Sequence, residues 1–111
     1  MEIRQLTPDF AVAPQIGPEH VKSIAEAGFK SLVCNRPDSE EGAVDHALIE
    51  AAAREAGLEF RFVPVVPGSV TQQDVADMTA AINTLPRPIL AYCRSGTRSM
   101  NLYMLVERMR G

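Results

Sequence analysis

Short apolar runs alternate with segments of helical period along this chain, and that alternation restricts the fold more than any other feature. "FAVA" is a strand by its length and apolar content, after a weaker candidate in "EIRQL". "GPEHVKSIAEAG" then reads as a helix, with Pro18 at its start, Val21, Ile24 and Ala25 on one face, and Gly28 as its stop. The pattern repeats with "FKSLVC" as a buried strand and a helix over 43–56, whose Val44, Ala47, Leu48 and Ala51 align. "LEFRFVPV" alternates Leu58, Phe60 and Phe62 with Glu59 and Arg61, as a half-buried strand does. Thr71 and Asp74 open a third helix as a capping box, with Val75, Met78 and Ile82 inward. "RPILAY" is the last strand. The last helix is expected from about Ser99, with Leu102, Leu105, Val106 and Met109 facing inward. Such alternation predicts an α/β domain, a central and largely parallel sheet flanked by helices.

A chain of 111 residues is expected to form one domain, spanning 1–111, around a single core. A net charge of −3 gives no basic footprint for nucleic acid. No apolar run reaches membrane-span length, and the N-terminus lacks the pattern of a signal peptide. The two cysteines, Cys34 and Cys93, have no paired spacing and read as thiols of a reducing compartment, so a cytoplasmic location is expected.

In parallel sheets, ligands bind beyond the carboxyl ends of the strands. "CRSGTRS", residues 93–99, lies at such an end and leads into a helix. A helix N-terminus offers unpaired N–H groups, and a small-residue loop entering it can curl them around an anion. Gly96 permits the positive φ that this curl needs, and Arg98 adds a planar, permanently charged fork. The same field favours thiolate at Cys93. A plain turn is the competing reading, with Cys93 a packed thiol and Ser95, Thr97 and Ser99 as turn and cap residues. Yet two arginines beside a helix N-terminus are unfavourable unless an anion uses them.

"NRPDSEEG", "FVPVVPGSVT" and "AYCRSGTRS", in that order, resemble the small bacterial family of beta-lactamase-hydrolase-like phosphatases. The resemblance runs from about Leu6 to the C-terminus. It implies a compact cysteine-phosphatase fold, and members that occur beside or fused to enzymes of sulfide and persulfide oxidation. Under a phosphatase reading Cys93 is the nucleophile, Arg98 the phosphate clamp and Ser99 the hydroxyl after it. Two features argue against that reading. Cysteine phosphatases place five residues between nucleophile and arginine, and here there are four. The loop after the preceding strand, "VPVVPGS", also holds no general acid, although Asp38 or Glu40 could supply one from another loop.

"CRSGTR" also resembles the six-residue active loop of rhodaneses. In that chemistry Cys93 takes the outer sulfur of thiosulfate, sulfite departs without an acid, and a thiol such as glutathione accepts the sulfur. Sulfur transfer is therefore the expected function, with phosphatase as the alternative and a non-catalytic persulfide carrier or sensor as a third. In the sulfur-transfer reading Arg94 and Arg98 hold the sulfonate, and the loop N–H groups stabilise the persulfide's outer sulfur. The hydroxyls of Ser95, Thr97 and Ser99 can donate to the sulfur or the anion. Arg36 could extend the anion site, and Asp38 could orient Arg36 or Arg98; the competing reading of both is a structural turn. Cys34 is expected as a buried structural thiol rather than a resolving one. His20 and His46 lack metal spacing, so no metal and no cofactor are expected.

Overall fold

The structure is a computed structural model and describes residues 2–110. Its strands are β1 (Arg4–Thr7), β2 (Phe10–Ala13), β3 (Ser31–Cys34), β4 (Glu59–Phe62) and β5 (Ile89–Tyr92). They form one sheet in the order β1-β2-β5-β3-β4. Only β1 runs antiparallel to its neighbour, paired with β2 across a short turn. The other pairings are parallel, with Cys34 opposite both Tyr92 and Phe62. Parallel strands need crossovers, and the helices supply them: α1 (Val21–Glu26), α2 (His46–Glu55) and α3 (Gln72–Thr84), with α4 (Thr97–Met109) following β5. A 3-10 turn at Pro18–His20 leads into α1.

Side chains alternate across the sheet, so each central strand feeds both faces. Leu90 and Tyr92 of β5 join Ala11, Leu32 and Cys34 beneath α1 and α2, where Ile24, Ile49 and Ala53 meet them. Ile89 and Ala91 point the other way with Val12 and Val33, against Met78 and Ile82 of α3 and Leu102 and Val106 of α4. The sheet is thus covered on both sides, as a parallel sheet requires.

Four helix details differ from expectation. The second helix begins at His46, not at 43, because the Asp45 side chain accepts the Ala47 N–H and caps it there. Its buried residues are Ile49 and Ala53, whereas Leu48 is 57% exposed. The alanine-rich sequence supports either stripe, and docking against β3 and β4 selects the one that carries Ile49. The last helix starts at Thr97, two residues early, because left-handed Gly96 turns the chain directly into it. Leu102 and Val106 are buried as expected, but Met109 is 66% exposed. Leu105 and Met109 instead border an open apolar groove between α3 and α4.

Candidate active site

Cys93 is the first residue beyond β5, where the strand's apolar side chains give way to a loop. Its N–H donates to the Ala13 carbonyl at 3.3 Å, and the Arg94 carbonyl accepts the Gln15 N–H at 3.2 Å. The loop therefore hangs on the end of β2. Gly96 has φ 91° and ψ −21°, and a Cβ there would meet the Ala13 carbonyl carbon at 3.4 Å. Only glycine takes this conformation without strain. Because Gly96 turns back, its N–H donates to the Cys93 sulfur at 3.1 Å.

The thiol is buried, and burial by itself raises its pKa. The Ser99 hydroxyl outweighs that, together with the backbone N–H groups of Ser99, Gly96 and Ser95. Cys93 is held below the ordinary 9.0. Ser99 Oγ is itself buried and completes no hydrogen bond among the described residues, and its nearness to the sulfur favours the thiolate. Ser95 Oγ accepts the Thr97 N–H at 3.4 Å, which is turn chemistry at an exposed loop tip. Cys93, Arg94, Ser95, Thr97 and Arg98 all line one cleft of ≈ 420 Å³, walled opposite by Pro67, Gly68 and Val70. Five of the expected loop residues thus share this cleft, while Gly96 borders a separate cavity and Ser99 is buried.

Arg98 reaches from α4 across the strand ends. Its Nη1 donates to the Val65 carbonyl at 3.1 Å, the Asn35 carbonyl at 3.3 Å and Glu40 Oε2 at 2.9 Å. Its Nη2 donates to Glu40 Oε1 at 3.1 Å, completing a two-pronged ion pair. The Arg98 Nε is buried with no hydrogen-bond partner among the described residues, and Arg98 borders the cleft.

Arg36 does not extend the anion cradle. It is 5% exposed, and its nitrogens are committed to Glu40 Oε1, Gln15 Oε1 and the Glu41 carbonyl. Asp38 orients neither arginine, contrary to expectation. Its carboxylate accepts the His46 N–H at 2.9 Å and meets His46 Nδ1 at 2.6 Å, so it serves the start of α2. These bonds to His46 outweigh burial and hold Asp38 below the usual carboxylate range. His46 in turn lies flat on Phe62 at 3.7 Å between ring centres. Cys34 is 1% exposed, its S–H bonds the Arg36 carbonyl at 3.3 Å, and burial above all raises its pKa. It is a core thiol.

The residue that takes the role expected of Asp38 is Glu40. Arg98 and then Arg36 outweigh the effect of burial and hold its carboxyl below the ordinary 4.5. A depressed carboxyl contributes stability above its ordinary value and loses it as pH falls through the folded one. Glu40→Gln is therefore expected to cost about 1–2 kcal/mol near neutral pH. The wild-type advantage should shrink steadily below the ordinary 4.5, as urea titrations across that range would show.

The comparisons with known proteins agree with this geometry. The family model of the beta-lactamase hydrolase-like protein, phosphatase-like domain, matches residues 2–109. A beta-lactamase hydrolase-like protein of Xylella fastidiosa is 36% identical over 112 residues, covering 100% of this chain and 26% of that protein. The chain thus spans about a quarter of the length of that relative. Among solved structures, a candidate phosphatase of Neisseria meningitidis Z2491 is 35% identical with a TM-score of 0.83, over 93% of this chain and 74% of that one. A candidate phosphatase of Shewanella putrefaciens CN-32 reaches a TM-score of 0.87 at 19% identity, over 98% of this chain and 69% of that one, a likeness of fold. These findings favour the phosphatase alternative over the expected sulfur transfer. The chain belongs to the family of the beta-lactamase hydrolase-like protein, phosphatase-like domain.

Proposed function

We propose that this domain is a cysteine-dependent phosphatase that works through a phosphocysteine at Cys93. One observation carries the reading. The Cys93 sulfur sits under an inward-turned N–H at 3.1 Å with its pKa lowered, at the base of a cleft that Arg98 borders. The thiolate attacks phosphorus while the loop N–H groups and Arg98 Nε hold the non-bridging oxygens, so charge is met where it develops. Water then attacks the phosphocysteine, and the sulfur departs as a thiolate that Gly96 N–H and the Ser99 hydroxyl already favour.

Glu40 supports this from behind. By gripping Nη1 and Nη2 it fixes the guanidinium plane and leaves Nε for substrate. Arg94 is exposed, and its side chain has no partner among the described residues, so it is free to steer an anion toward the cleft.

Intact-protein mass after brief exposure to p-nitrophenyl phosphate, quenched in acid, tests the reading. The expected result is one added phosphoryl group, absent from the Cys93→Ser variant, with release of p-nitrophenolate. The competing reading keeps one observation in its favour, the four-residue spacing from Cys93 to Arg98. A sulfur atom gained from thiosulfate, with no phosphoryl gained from the aryl phosphate, would decide for sulfur transfer.

A further inference from the structure

A phosphatase that cleaves ordinary alkyl esters must protonate a strongly basic leaving oxygen, and general acids contribute about 10²–10⁴-fold to such steps. Each carboxylate near this site is either committed to another partner or lies outside the Cys93 cleft. Among the described residues, the Cys93 cleft is lined by no carboxylate and no imidazole. The facing loop, residues 63–70, contains none either, so its closure would bring no acid. Asp74, the first acid after it, both caps α3 and bonds the Thr71 N–H at 3.0 Å.

On the other side, Asp38 is committed to His46 and Asp45 to Ala47. Glu40 is doubly paired to arginines and held ionised, the wrong state for an acid. Two uncommitted carboxyls remain near the site among the described residues. Glu2 borders a separate cavity of ≈ 470 Å³ with Arg94, Ser95 and Gly96 and does not line the Cys93 cleft. The other, on this side, is that of Glu41. It borders a neighbouring cavity of ≈ 790 Å³, not the cleft around Cys93. That cavity shares Pro67, Arg94 and Arg98 with the cleft, so the two adjoin along the arginines. The space beside the reacting phosphorus is thus furnished with cations where an acid would otherwise be needed.

We propose that the substrate is a phosphoric anhydride, a phosphoryl group joined to a second phosphate or to a carboxylate, which rests on the phosphatase reading of the site. The Cys93 sulfur forms the S–P bond, the bridging P–O bond breaks, and its electron pair leaves on the second phosphate or the carboxylate. That leaving group is a stable anion and takes no proton. Arg94, exposed and unpartnered among the described residues, lies on the border where the new anion emerges. Water then attacks phosphorus, the S–P electron pair returns to the thiolate, and the water's proton passes to solvent.

The test is kcat/KM, which reports the first irreversible step, across four kinds of probe. These are aryl phosphates of graded phenol acidity, acetyl phosphate, inorganic pyrophosphate and glycerol phosphate. The expected result is a steep fall as the phenol becomes less acidic. At least one anhydride should be turned over on the order of 10²-fold or more faster than glycerol phosphate. Acetyl phosphate against pyrophosphate then distinguishes the two kinds of anhydride. Glu41→Gln should leave every value unchanged. Rates independent of phenol acidity, or neither anhydride exceeding glycerol phosphate, would overturn the proposal while leaving the phosphatase reading intact. So would selective loss of the less acidic esters in Glu41→Gln, which would make Glu41 the acid. No turnover of p-nitrophenyl phosphate beyond that of Cys93→Ser would instead remove the phosphatase reading itself.

Discussion

Cys93→Ser should lower kcat for p-nitrophenyl phosphate by at least on the order of 10³, while the protein remains folded and still binds inorganic phosphate. The split follows from what each atom does. The proposed oxyanion cradle consists of backbone N–H groups and Arg98 Nε, none of which needs sulfur. The nucleophile does, because a hydroxyl has no accessible anion near neutral pH. For the wild-type thiol, the Ser99 hydroxyl and the loop N–H groups lower the pKa below the ordinary 9.0 against the opposing effect of burial. The thiolate fraction rises with pH through that lowered value, so the acid limb of kcat/KM should fall below 9.0. Cys34→Ser should keep turnover, since that thiol is buried and pushed up in pKa. Equal loss in both variants would point to disrupted folding, and loss in Cys34→Ser alone would place the nucleophile elsewhere.

Which parts of this site could be read from the sequence depended on how local their interactions are. The thiol, the left-handed Gly96 and Arg98 lie within six consecutive residues, so their chemistry is visible as a string. The strand and helix alternation is equally local, and the five-stranded sheet follows from it. Glu40 meets Arg98 across 58 positions, and no spacing rule reports such a contact. Within "NRPDSEE" the sequence offers Asp38, Glu40 and Glu41 on nearly equal terms. The path of the loop decides among them: His46 and the start of α2 take Asp38, leaving Glu40 to face both arginines. Gln15 was equally hidden, since it matters only because β2 runs beside β5. The choice between the two functions turns on a different matter. Loop length and a missing acid read as defects of a phosphatase, yet a missing acid also describes a phosphatase whose leaving group needs no proton.

Arg98→Lys is the variant with the next largest expected effect, a fall in kcat of on the order of 10²–10³. Charge is conserved, so a loss would measure geometry. In the wild type, Nη1 and Nη2 are spent on Glu40 and on the carbonyls of Asn35 and Val65, which close the loops after β3 and β4. That arrangement leaves the buried Nε without a partner among the described residues, and it is the donor proposed to meet the phosphoryl group. Lysine has a single ammonium, which can pair with Glu40 or point to the anion but cannot do both in fixed directions. Its pairing with Glu40 should retain much of the stability, so the urea midpoint should move far less than the rate. Arg98→Ala should show the opposite balance, unfolding earlier as well as losing activity, because it removes one of Glu40's two cations and strips the two carbonyls of this donor. If the lysine variant kept its rate, the oxyanion would be held by backbone N–H groups alone, and Arg98 would be a structural tie between loops. A fall in kcat with an unchanged midpoint would instead place Nε on the transferring phosphoryl group.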